Sequence, residues 1–169
     1  MRTLLIVFHS ATGGTRQMAE AAARGAGGED GVTVRLMHAG AAAPEDVLAA
    51  QAYVFATPEN LGSMAGLMKD FFDRCYYPAF DKVNGRAYAS MVCAGSDGQG
   101  AARQIERIAT GLGWELLAVD LPSRLRAALR PDHPCKSATI TTFAQWRQAE
   151  PAYVGSVTMF DFWLRKRGG

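Results

Sequence analysis

Cysteine and histidine are both scarce, three of each in 169 residues, and no two cysteines form a CxxC pair. Cys75, Cys93 and Cys135 are odd in number and widely spaced. They read as buried or idle thiols of a reducing compartment, not as a disulfide or zinc framework, and a cytoplasmic protein is the expectation. Three isolated histidines do not make a metal-ligand cluster, so no metal is expected. Long hydrophobic runs are missing as well. The run Leu4–Phe8 is too short to span a bilayer, and no small-residue cleavage site follows it before a Gly-rich turn. Nor is there an excess of one charge: 18 basic against 16 acidic residues leave a net +2. Neither a nucleic-acid partner nor membrane insertion is expected, and the terminal cluster Arg165-Lys166-Arg167 reads as solvated.

What is present is an ordinary soluble composition, 49% apolar and 20% charged. The length suits one domain over residues 1–169, able to bury roughly two-thirds of its unfolded surface. Leu4–Phe8 reads as a strand buried on both faces. A helix follows from Thr15, with Met18, Ala22 and Gly25 on one face and Gly27-Gly28 ending it. Val32–Met37 reads as a second strand, and Pro44-Glu45-Asp46 opens a short helix. Tyr53–Ala56 reads as a third strand, stopped by Thr57-Pro58. In the next helix Met64, Leu67, Met68, Phe71, Phe72 and Cys75 recur at helical spacing and predict a core stripe. Ala87–Cys93, Ala101–Leu112 and Trp114–Val119 read as strand, helix and strand.

This alternation predicts a five-stranded parallel sheet with helices on both faces, because parallel neighbours need crossover connections. The pattern is clear over residues 3–120 and degrades over 121–169. There Ser123–Arg130 and Ser137–Gln148 are the candidate helices, and the last stretch, Ala152–Arg165, has no clean period. Phe143, Trp146, Tyr153, Phe160, Phe162 and Trp163 either complete the core or form an exposed apolar surface at a subunit contact, one reason to expect a homo-oligomer.

In such sheets ligands bind beyond the carboxyl ends of the strands, where strand order reverses. The first loop there, His9-Ser10-Ala11-Thr12-Gly13-Gly14-Thr15, alternates hydroxyls and glycines and runs into a helix start. Such a loop wraps an anion with backbone N–H groups, aided by the helix dipole; read alone, the alternative is a Ser/Thr cap with a glycine turn. It has no lysine, unlike GxxxxGK[ST], and lacks GxGxxG spacing. A phosphate held by neutral donors suits a monophosphate ester.

Ser10-x-Thr12-Gly13-x-Thr15 after a buried strand resembles the FMN phosphate loop of flavodoxins and of flavodoxin-like NAD(P)H-dependent FMN and quinone reductases. Thr57-Pro58-Glu59-Asn60-Leu61-Gly62-Ser63-Met64 resembles the segment of those reductases that lies along the isoalloxazine. Ala94-Gly95-Ser96-Asp97-Gly98-Gln99-Gly100 is similar to their loop at the flavin's other edge. The resemblance implies a three-layer, doubly wound flavodoxin-like fold with strand order 2-1-3-4-5. It also implies that Ser10, Thr12, Gly13, Gly14 and Thr15 surround the phosphate. Pro58, Glu59, Asn60, Leu61, Gly62 and Ser63 would then contact the ring, and Ala94, Gly95, Asp97 and Gly98 close its pyrimidine side. Alternatives stay open: Glu59 as a solvated carboxylate, Asp97 as a turn residue or helix cap, and His9 near the ribityl chain or merely half-buried.

Carrier flavodoxins tend to sandwich the ring between aromatic side chains, and neither Glu59-Asn60-Leu61 nor Ser96-Asp97-Gly98 offers one. The expectation is therefore an FMN enzyme reduced by NADH or NADPH that passes electrons to a quinone, free flavin or similar small-molecule acceptor, with no side chain assigned as catalytic. The alternatives are a one-electron carrier and a cofactor-free interaction module.

Overall fold

The computed structural model describes residues 1–95, 97–116 and 137–140. In chain order the elements are β1 (Arg2–Phe8), α1 (Gly14–Gly27), β2 (Val32–His38), α2 (Pro44–Ala49), β3 (Ala52–Asn60), β4 (Ser63–Met64), α3 (Gly66–Ala79), β5 (Ala87–Ala94), α4 (Gln99–Gly111), β6 (Glu115–Leu116) and β7 (Ser137–Ile140). The main sheet runs β2-β1-β3-β5-β6, every neighbouring pair parallel. Setting aside the two-residue β4, which only folds back on β3, this is the expected 2-1-3-4-5 order.

Strand periodicity sends alternate residues to opposite faces. Leu4, Ile6, Val54, Ala56, Ala89 and Met91 face α1, which packs Met18, Ala19, Ala22 and Ala26 against them. Ala26, not the expected Gly25, completes that helix face. Leu5, Val7, Tyr53, Phe55 and Tyr88 face the other way, where Met68, Phe71, Phe72 and Cys75 of α3 and Ile105 and Ala109 of α4 meet them. The expected stripe on α3 is thus core except at its start. Met64 is buried but belongs to β4, and Leu67 is exposed. Burial pushes the Cys75 thiol up to about 11, which makes it an inert core group.

Side chains lock the connections. The Arg86 guanidinium donates to the carbonyls of Val47 and Leu48 at 3.0 Å, and also to Ala50, at the end of α2. It reaches Tyr53 Oη as well, whose hydroxyl donates to the Val47 carbonyl at 2.9 Å. A cation there satisfies carbonyls that a helix end leaves unpaired. Arg74 similarly ties α3 to the turn after β2 through the carbonyls of Ala39 and Ala42.

Three expectations are corrected. β3 does not stop at Thr57-Pro58 but continues to Asn60. The Ala56 carbonyl accepts the His9 N–H and so faces β1; Pro58, two residues on, faces the same side. The β1 ladder has already ended at Phe8↔Ala56, so the missing proline N–H leaves no partner unpaired. Second, Ser137–Ile140, expected to open a helix, is a strand antiparallel to β5, with Met91↔Ile140 and Ala94↔Ser137 in register. Third, Cys93 is disulfide-bonded, whereas Cys75 is free. Cys93 stands opposite Ala138 in the β5–β7 ladder, a proximity that spacing along the chain does not reveal. Residues 117–119 of the fifth expected strand, the Ser123–Arg130 segment, residues 141–148 and the stretch Ala152–Arg165 lie outside the described residues. Among those described, no helix is long and apolar enough to cross a membrane.

Candidate functional site

The loops after β1, β3 and β5 converge on a cleft of about 350 Å³ at the carboxyl ends of the strands. The neighbours β1 and β3 flank the point where strand order reverses. Its volume falls in the range of small-molecule sites.

From the first loop the cleft takes Ser10, Thr12 and Thr15, joined by Ala11, which the sequence did not single out. Gly13 has φ 95 and directly precedes α1, a left-handed conformation that favours glycine. Its N–H donates to Ser10 Oγ at 3.0 Å, leaving the serine hydroxyl proton for a ligand. No side chain caps α1, and no acidic residue lies in its first turn. The first-turn amides are therefore unclaimed by side chains and face no competing carboxylate, as an anion cradle requires. Gly13 and Gly14 shape this backbone without lining the cleft.

From the second loop Pro58, Glu59 and Asn60 line the opposite wall. The chain then turns back in a two-residue hairpin, with Asn60 paired to Ser63 and positive φ at both Leu61 (53) and Gly62 (71). Tight hairpins favour that combination because it matches strand twist, although leucine enters the left-handed region only at a cost. Leu61 is fully exposed at the tip. Buried Thr57 closes the hairpin base, its hydroxyl accepting the Ala65 N–H at 3.1 Å and donating to the Pro58 carbonyl. Glu59 is anchored as well as cleft-lining: its Oε2 accepts the Ala101 N–H of α4 at 3.0 Å.

Ala94 and Gly95 complete the cleft, together with Cys93, which the sequence did not mark. Asp97 takes the turn geometry, its Oδ1 accepting the Gln99 N–H at 3.0 Å. Gly98 follows with φ 71 and leads into α4. Leu61, Gly62, Ser63, Asp97 and Gly98 sit beside the cleft and are not part of its lining.

His9 does not line the cleft. It pairs with His38 at the end of β2, Nδ1 to Nε2 at 3.2 Å. The Gly40 N–H donates to His38 Nδ1, so the bridging proton sits on His38 Nε2 and the free proton of His9 on its own Nε2. Burial first, and His38 second, hold the His9 pKa below its ordinary 6.5. The native state therefore binds fewer protons here than the unfolded chain. The contribution is complete above pH 6.5 and is lost as pH falls through 6.5 toward the folded value. Denaturant titrations at pH 7.5 and 5.5 should show a stability decrease that shrinks in the His9→Gln variant. Among the described residues no group of three or more metal-ligating side chains occurs.

The model of the NADPH-dependent FMN reductase family matches residues 39–124, half of the chain. Over 100 residues the chain is 34% identical to a flavodoxin of Aquifex aeolicus, covering 59% of this chain and 54% of that one. Over 94 residues it is 31% identical to an NAD(P)H dehydrogenase (quinone) of Acidithiobacillus ferrooxidans, covering 44% and 47%. The matched regions thus span about half the length of these curated relatives. The flavodoxin of Streptococcus pneumonia TIGR4 superposes with TM-score 0.66 at 18% identity, over 98% of this chain and 99% of that one. At that identity the likeness concerns the fold alone, which is flavodoxin-like. With the sheet order, the cleft at its reversal point and the matched segment in agreement, the chain belongs to the NADPH-dependent FMN reductase family.

Proposed function

We propose that this chain binds FMN noncovalently in the cleft. In this reading it accepts two electrons from NADH or NADPH and passes them to a quinone, free flavin or similar small acceptor. The observation that carries the reading is the pairing of an uncapped helix N-terminus with a cleft at the sheet reversal point. Ser10, Thr12, Gly13, Gly14 and Thr15 would hold the phosphate through neutral donors. Pro58, Glu59, Asn60, Leu61, Gly62 and Ser63 would border one side of the ring, and Ala94, Gly95, Asp97 and Gly98 the other. Bound flavin supplies the hydride chemistry; the protein's part is orientation and access. The absence of aromatic side chains from both ring-bordering loops supports an enzyme over a carrier, because an uncovered face admits a nicotinamide and then an acceptor.

Gel filtration of the protein after incubation with FMN is expected to yield a yellow peak carrying about one flavin per chain. Anaerobic addition of NADH or NADPH is then expected to bleach it. A colourless protein peak overturns the cofactor reading. A yellow peak that neither nucleotide bleaches assigns the protein to electron carriage. Turnover should follow ping-pong kinetics, since the two half-reactions use one flavin face in turn.

A further inference from the structure

The hairpin that walls the cleft has little support of its own. Its tip is exposed, and β4 is only two residues long. Beyond the Thr57 hydroxyl at its base, its support comes from α4. Gln104, in the second turn of that helix, presents one amide oxygen to two donors: the Ser63 hydroxyl at 2.8 Å and the Met64 N–H at 3.1 Å. On the outgoing strand Glu59 reaches the same helix through the Ala101 N–H. The helix begins directly after the loop that forms the cleft's other side, with Asp97 turning the chain into it. One rigid element thus joins the second and third loops.

We infer that Gln104 is a positioning residue for the cofactor, holding the β3–β4 hairpin at its ligand-ready spacing from the third loop before any ligand arrives. This deepens the flavin reading and rests on it. Gln104 lies outside the cleft lining and is exposed on the helix surface, so it acts through Ser63 and Met64. The chemistry asks for an acceptor with two lone-pair sites at the end of a three-carbon reach. Glutamate meets that requirement; leucine, of similar shape, offers no acceptor and leaves the Met64 N–H unpaired. A preorganised wall binds more tightly because less ordering remains to be done on binding.

The test compares wild type, Gln104→Leu and Gln104→Glu by FMN titration, by visible circular dichroism of the saturated proteins, and by amide hydrogen exchange of the flavin-free proteins. Gln104→Leu is expected to weaken FMN binding about tenfold, to alter the dichroism of the bound flavin, and to speed exchange at Met64. Gln104→Glu should restore all three. Unchanged affinity and dichroism in Gln104→Leu, whatever its melting temperature, overturn the positioning role, as does Gln104→Glu behaving like leucine. If wild type retains no flavin, the cofactor reading fails by itself. Exchange at Met64 then still decides whether Gln104 holds the hairpin, with equal rates in wild type and Gln104→Leu counting against it.

Discussion

Gly100→Ala is expected to lower FMN affinity at least about tenfold, an effect of roughly 1.4 kcal/mol or more. Helix propensity argues the opposite, since alanine inside a helix gains about 0.5–1 kcal/mol over glycine. Sterics decide the sign. A Cβ at Gly100 would lie 2.0 Å from the Gly62 carbonyl oxygen, 2.7 Å from its carbon and 3.2 Å from Glu59 Oε2. The first two are backbone atoms of the hairpin and cannot swing away, and overpacking of this kind costs about 1–3 kcal/mol. The hairpin must move, taking the Pro58–Asn60 wall with it and stretching the Glu59–Ala101 hydrogen bond. Gly66→Ala is the control. It sits at the start of α3, where a Cβ meets nothing within 4 Å, and should bind FMN like wild type. Titration of both variants checks the prediction, and equal affinities would show that the hairpin yields freely.

Phe55→Ala is expected to cost about 3–5 kcal/mol of stability and to lower Tm by roughly 10 °C. Phe55 is fully buried in the central strand. Its ring meets Phe72 at 4.9 Å and Trp114 at 5.3 Å, with Tyr53 and Phe71 near 6 Å. These groups come from β3, α3 and the approach to β6, so the resulting cavity is bounded by three elements and collapses poorly. Aromatic contacts add to the transfer and cavity terms. Thermal melts monitored by far-ultraviolet circular dichroism measure the loss. The cleft lies at the strand ends, away from this ring, so flavin affinity well below Tm should change far less than Tm. A drop under about 1 kcal/mol would mean that α3 closes over the void.

Much of this architecture was legible because a parallel sheet writes itself as uninterrupted apolar runs, such as Leu4–Val7, between helices with a single apolar stripe. The positions of the three loops followed, and eight of the residues singled out in them line the cleft. Other features depended on information that no local window holds. Pro58 reads as a strand breaker unless one knows that β1 has already ended beside it. Leu67 falls on the apolar period of α3, yet it is exposed while the next residue, Met68, is buried, so it sits at the border of the buried stripe. The His9–His38 pair and the Gln104 anchor join residues far apart in the chain. Positive φ at Leu61 was equally hidden, because leucine is not a residue that announces a left-handed turn.

The outer edge of β5 is shared by strands of opposite direction, β6 parallel along Ala87-Tyr88 and β7 antiparallel along Met91–Ala94. The two halves of one edge therefore close loops of very different length. β6 follows soon after α4, whereas β7 returns from much farther along the chain and meets the higher closure entropy. On this outer edge loop closure therefore favours the pairing with β6 over the pairing with β7. Cys93 and Ala94 line the cleft from the half that β7 borders, yet the other edge of β5 is already in register with β3 as far as Pro58↔Cys93, so this wall of the cleft is set by the parallel sheet and β7 only covers its outer side.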